Sequence, residues 1–174
     1  MKRGFAILFM LLSLSVGCSK KNSTKTSGTV TIDNILYGSG PYYALGFSFS
    51  RAKEISTLSN PEPDVTINND GTLLNLILQT NNFGNSFYKF GEYQDAGDAK
   101  AAFNSLTSVS VQDWVVWADF LKPDQIWIFR TGDEHYAKIR IISTISETRG
   151  TWNYAECTFE WAYQPDGSLT FPGK

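Results

Sequence analysis

From Ile126 to Phe171 the chain repeats one pattern: short runs of alternating apolar and polar residues separated by four-residue breaks. The runs are IWIFR, HYAKIRIISTI, TWNYAECTFEWAY and SLTF, and the breaks are Thr131–Glu134, Glu147–Gly150 and Gln164–Gly167, all rich in turn-forming residues. Side chains alternate across a strand, so Ala137, Ile139, Ile141 and Ser143 share one face and Tyr136, Lys138, Arg140 and Ile142 the other. In the next run Ala155, Cys157, Phe159, Trp161 and Tyr163 oppose Tyr154, Glu156, Thr158, Glu160 and Ala162. Strands joined by such short turns form an antiparallel meander. The pattern predicts an all-β chain with one apolar sheet face and one mostly polar face. Glu156 and Glu160 share that polar face with Cα atoms roughly 13 Å apart, too far for a glycosidase carboxylate pair, and read as solvated.

The amino terminus carries an address. Lys2 and Arg3 precede a twelve-residue apolar run, Phe5 to Val16, which is short for a bilayer span and right for a signal-peptide core. Ser15-Val16-Gly17-Cys18 resembles a bacterial lipobox. The resemblance implies a lipoprotein signal peptide over residues 1–17, removed on export, and Cys18 carrying diacylglycerol and an acyl chain such as palmitate. Residues 18–28 are polar, with Lys20, Lys21 and Lys25, and are expected to be a flexible tether between the lipid and a single β domain over residues 29–174.

Removal of the leader leaves 157 of the 174 residues, enough for one domain with a sizeable core. Without Lys2 and Arg3, 13 basic side chains face 17 acidic ones, a net charge of −4. An acidic balance argues against nucleic acid as a partner, because no basic excess is present to displace counterions. With Cys18 acylated, Cys157 has no cysteine to pair with and reads as a small buried hydrophobe.

Upstream of the meander, strand signals continue at Val30–Ile32, at Ile35–Tyr37, and along Tyr43, Leu45, Phe47 and Phe49. Residues 51–62 read as a loop. Asn69-Asp70-Gly71 reads as a hairpin turn with Val65, Ile67, Leu74, Leu76 and Leu78 facing inward. Residues 80–97 mix Gly84, Gly91 and Gly97 with aromatic residues and are expected to be a long functional loop. Ala99, Ala102, Phe103 and Leu106 recur at helical spacing, predicting one short helix over 98–106 with Asp95 or Asp98 at its start.

At Arg130-Thr131-Gly132-Asp133-Glu134-His135-Tyr136-Ala137-Lys138-Ile139-Arg140-Ile141 the chain resembles the pattern Arg-Thr-Ala-Asp-Gly-Lys-Tyr-Ala-Lys-x-x-Ile of the HmuY family, haemophore-like lipoproteins of Bacteroidota. Phe159–Tyr163 followed by Gln164-Pro165-Asp166-Gly167-Ser168 is similar to that family's closing strand and turn. Glu134 stands where the family has glycine. The resemblance implies an all-β outer-membrane lipoprotein that captures haem for iron acquisition and hands it to a TonB-dependent receptor.

Haem iron is held by His, Met, Cys or Tyr. Both methionines, Met1 and Met10, leave with the leader, and His135 is the one imidazole. His135 is therefore either a haem ligand or a polar residue closing a hairpin. Tyr88 and Tyr93 are the phenols placed to ligate ferric haem, and residues 83–93 with Trp114 and Trp117 supply the apolar surface expected of a porphyrin pocket. No phosphate loop, metal-ligand spacing or nucleophile–base pattern stands out, so the chain is expected not to be an enzyme. The other reading is a surface or periplasmic module that binds glycans or proteins on the same scaffold without haem.

Overall fold

The computed structural model describes residues 25–71, 74–81 and 84–173. The expected leader, Cys18, most of the segment expected to be a tether, and Phe83 lie outside the described residues. The fold is all-β with one short helix. Among the described residues nine strands run in chain order: β1 (Ser27–Asp33), β2 (Leu45–Ser48), β3 (Lys53–Ser56), β4 (Thr66–Asn69), β5 (Leu76–Gln79), β6 (Phe87–Glu92), β7 (Gln125–Arg130), β8 (Tyr136–Arg149) and β9 (Trp152–Gln164). Helix α1 (Ala96–Ser105) lies between β6 and β7.

Five strands form one antiparallel sheet in the order β1-β9-β8-β7-β6, and β2-β3 and β4-β5 form two-stranded ribbons. The expected meander is present, shifted by one strand. Its members are β6 to β9, and Ser168–Phe171 adds no strand to it. That segment instead turns back, bridges Ser108 through Thr170, and buries Phe171 beside α1. Its partner is the loop after the helix rather than β9, which the alternation of Leu169 and Phe171 does not reveal.

Both faces of the sheet are covered. The ribbons pack on one face, where Trp127, Phe129, Ala137, Ile139, Ile141, Ala155, Cys157, Phe159 and Trp161 meet Phe47, Phe49, Val65, Ile67 and Leu78. Ring pairs dominate this core. Phe47 meets Phe159 edge-on at 5.8 Å and Trp161 at 5.2 Å, and each such pair contributes about 0.5–1.5 kcal/mol beyond its area burial. Cys157 is fully buried there, and burial above all pushes its thiol pKa far up, as suits a packing residue.

The opposite face carries α1 and the chain on either side of it. Phe103 and Leu106 pack on Ile126, Ile128 and Ala162. Asp95 caps the helix, its carboxylate accepting from the Gly97 and Asp98 amides at 2.8 and 2.9 Å. Covering this face changes the fate of its charges. Lys138 is 1% exposed and donates to the carbonyls of Phe103 and Leu106 at 2.7 and 2.8 Å. Glu160, expected to be solvated, is buried and accepts from Arg140 and Lys100.

Four further expectations are corrected. Residues 80–97 are not one long loop, because β6 forms the edge of the sheet, with a bulge between Lys89 and Gly91. Phe87 enters the ribbon-side core while Tyr88 and Phe90 pack on the helix side, so a strand apolar on both faces reads as irregular. The loop expected over 51–62 contains β3, which pairs with β2. Of the residues expected in the tether, Ser27 and Gly28 belong to β1 and pair with Ala162 and Trp161. Leu74 leaves the hairpin strand, since β4 and β5 close at Asn69 and Leu76 and Leu74 adopts φ +56° in the connection.

Candidate functional site

The turn from β7 to β8 builds one wall of a cavity of about 490 Å³. The Thr131 amide donates to the His135 carbonyl at 2.8 Å, and the His135 amide donates to the Thr131 hydroxyl at 3.0 Å. Glu134 sits between them at φ +59°, the left-handed region that favours glycine, which is the residue the HmuY pattern has there. The turn thus aims a half-buried His135 ring at the end of β9, where its Nδ1 lies 2.9 Å from the Tyr163 phenol oxygen.

Tyr163 is fixed from two sides. Its ring stacks on Phe49 at 6.3 Å, and its amide donates to the Thr26 carbonyl at 2.7 Å, which brings Lys25 and Thr26 to the cavity. Burial, followed by the charges of Asp64 and Asp133, pushes the phenol pKa up, so Tyr163 stays protonated.

The third wall is the approach to β4. The Asp64 carboxylate accepts the Phe49 amide at 2.7 Å, and burial raises its pKa to about 6 against the pull of that hydrogen bond. Asp133, Ser50 and Pro165 complete the lining. A half-buried imidazole, a neutral phenol and two carboxyls therefore converge at one end of the sandwich. In the tautomer that donates Nδ1–H to the phenol oxygen, the His135 Nε2 carries a lone pair available for coordination.

The sequence-derived site residues are not brought together. His135 works with Tyr163 on the ribbon side of the sheet, whereas Tyr88 and Tyr93 pack against the helix-side cluster with Trp114. Trp114 stacks on Tyr136 and lies under the Arg130 guanidinium at 4.8 Å, and Trp117 is on the surface. Tyr163 and Asp64 escaped sequence reading because each looks structural there: one ends an apolar strand face and the other precedes an apolar run. The available signal was the position of His135 and Tyr163 on facing ends of two strands joined by a long hairpin.

A second cavity, of about 590 Å³, lies at the other end of that hairpin, between the loop after β1, the ribbons and Trp152. Among the described residues, neither cavity takes a lining residue from 84–93, Trp114 or Trp117. No family model and no curated protein matches this chain.

Proposed function

We propose that this protein is a lipid-anchored haem-binding protein of the outer membrane, held through Cys18, that presents haem to a TonB-dependent receptor for iron acquisition, and that His135 is its axial ligand. The observation that carries the reading is the His135–Tyr163 contact at a cavity wall. Ligating imidazoles characteristically commit one ring nitrogen to a hydrogen bond so that the other faces the metal, and Nδ1 is so committed here. The cavity falls within the roughly 300–1,000 Å³ common to small-molecule sites. Lys25 at its edge supplies a cation of the kind that pairs with a propionate. Tyr88 and Tyr93, on the helix side of the sheet, have no part in this site.

Haemin titration of the full chain in detergent tests the proposal. A saturable Soret shift that is lost in His135→Ala and kept in Tyr88→Phe and Tyr93→Phe supports it. Absence of a saturable shift sinks it and leaves the haem-free binding module as the reading of the fold.

A further inference from the structure

The end of the molecule away from His135 has a different chemistry. Tyr163 and Trp152 are eleven residues apart on β9, roughly 36 Å along an extended strand, so the two cavities are separate sites. Large apolar side chains are exposed unevenly over the described surface. Of twelve exposed among the described residues, eight fall in the loop after β1, its ribbon and the start of β9, Tyr37, Tyr42, Leu58 and Trp152 among them, while Val115, Trp117, Phe120 and Ile145 lie elsewhere. A concentration of that kind marks an interaction surface.

Tyr42 and Trp152, 73% and 42% exposed, line the 590 Å³ cavity there. The rest of the lining is mixed, with Leu36, Leu58 and Ile67 beside the side-chain amides of Asn68, Gln79 and Asn81. The Asn68 carbonyl oxygen takes the Asn69 amide at 2.9 Å, which leaves its NH2 group for a ligand. Among the described residues, Glu62 is the one charged side chain in the lining. A phosphate or a sulfated chain meets no cation among these residues and a basic peptide meets a single carboxylate, whereas an uncharged, hydroxyl-rich ligand finds amide donors and acceptors beside aromatic faces for its C–H surfaces.

The groove is also pre-built. Asn34 ties its loop to β9, donating to the Asn153 carbonyl and accepting from the Ala155 amide, both at 2.9 Å. The Tyr37 amide donates to the Tyr43 carbonyl at 2.9 Å, and the two rings meet edge-on at 5.6 Å. The Thr57 hydroxyl holds the Tyr42 and Ala44 carbonyls. Trp152 is braced edge-on by Tyr154 at 5.6 Å, and the Arg149 guanidinium lies over the Tyr154 ring. Little ordering cost remains for a ligand to meet.

We infer that this aromatic and amide groove binds a neutral oligosaccharide, independently of the His135 cavity. The test is calorimetric titration of the full chain with cellohexaose, xylohexaose, mannohexaose and maltohexaose, with a heparin hexasaccharide as the charged comparison. The expected result is saturable binding of at least one neutral hexasaccharide, weakened about tenfold or more by Trp152→Ala, Tyr42→Ala or Gln79→Ala and unchanged by His135→Ala. Circular dichroism of the variants checks that the fold is kept. The inference is overturned if none of the four neutral sugars binds, if the heparin fragment binds best, or if binding survives both aromatic replacements. Because His135→Ala is the variant that abolishes haemin binding, loss of one activity leaves the other measurable.

Discussion

His135 Nδ1 lies 2.9 Å from the Tyr163 phenol oxygen, across the mouth of a long hairpin whose strands place the two residues at facing ends. If His135 ligates haem, the phenol is the group that sets its tautomer and orientation. Tyr163→Phe keeps the stacking on Phe49 and removes only the hydroxyl. It is expected to weaken haemin affinity about 10–100-fold, the usual cost of losing a ligand's hydrogen-bond partner, with a smaller effect on stability. Haemin titration paired with urea denaturation of the variant checks the split.

Asp64 links the same cavity to pH. Burial raises its folded-state pKa from 3.8 to about 6, with Asp133 adding to the shift and Arg51 opposing it. Between these values the folded protein holds a proton that the unfolded chain releases. The contribution is fully present below about pH 4 and is lost as pH rises through about 6. The change is on the order of 2–3 kcal/mol. Asp64→Asn keeps an acceptor for the Phe49 amide without the charge, so its stability relative to the parent is expected to increase by that amount between pH 3.5 and pH 8. Urea midpoints at the two pH values measure it, and equal differences at both would refute the assignment.

Glu160 is the shared acceptor of two cations under the helix. Arg140 Nε and Nη2 reach its Oε2 at 3.1 and 3.0 Å, with both side chains nearly buried, while Lys100 approaches from a more open position. Removing one partner of a buried pair strands the other charge. Glu160→Gln is expected to cost about 3–5 kcal/mol, whereas the combined Arg140→Met and Glu160→Leu replacement is expected to stay within about 2 kcal/mol of the parent. Chemical denaturation of the parent and the two variants measures both differences, and a double replacement that costs as much as Glu160→Gln would refute this account of the pair.

These charges mark where sequence reading stops. Alternation in β8 and β9 identified the strands and the face that meets the ribbons, because Ala137, Ile139 and Ile141 and then Ala155, Cys157, Phe159 and Trp161 recur at a period of two. The same alternation made Lys138, Arg140 and Glu160 look solvent-facing. Only the docking of α1 through Phe103 and Leu106 buries them, and that contact joins residues more than thirty positions apart. The candidate site failed to appear for the same reason. Thr26, Asp64, His135 and Tyr163 come from four segments, and no local period connects them. β6 stayed hidden because a strand covered on both faces loses its polar alternation, and Gly91 at the bulge reads as loop.

Gly46 tests how firmly the ribbon layer holds the site. A Cβ at this position would lie 2.6 Å from the Val65 carbonyl oxygen, 2.7 Å from Thr66 Cγ2 and 2.8 Å from Pro63 Cβ, so backbone rather than a side-chain tip would have to move. The displaced segment includes Asp64 and Val65, whose amides both donate to the Phe47 carbonyl, and the Phe47 amide donates back to Val65 at 2.8 Å. Gly46→Ala is therefore expected to destabilise the fold by about 1–3 kcal/mol through overpacking. It should also shift the Asp64 titration, although neither atom of the carboxyl is touched. Gly97→Ala is the control. Gly97 lies in the first turn of α1, its added Cβ would meet only the Asp95 carboxylate at 3.1 Å, and helix propensity favours alanine by about 1 kcal/mol. Thermal denaturation should separate the two alanine variants, Gly46→Ala melting lower than the parent and Gly97→Ala close to it. Equal melting points would mean that the β2-β3 ribbon is not clamped to the approach to β4 through this glycine.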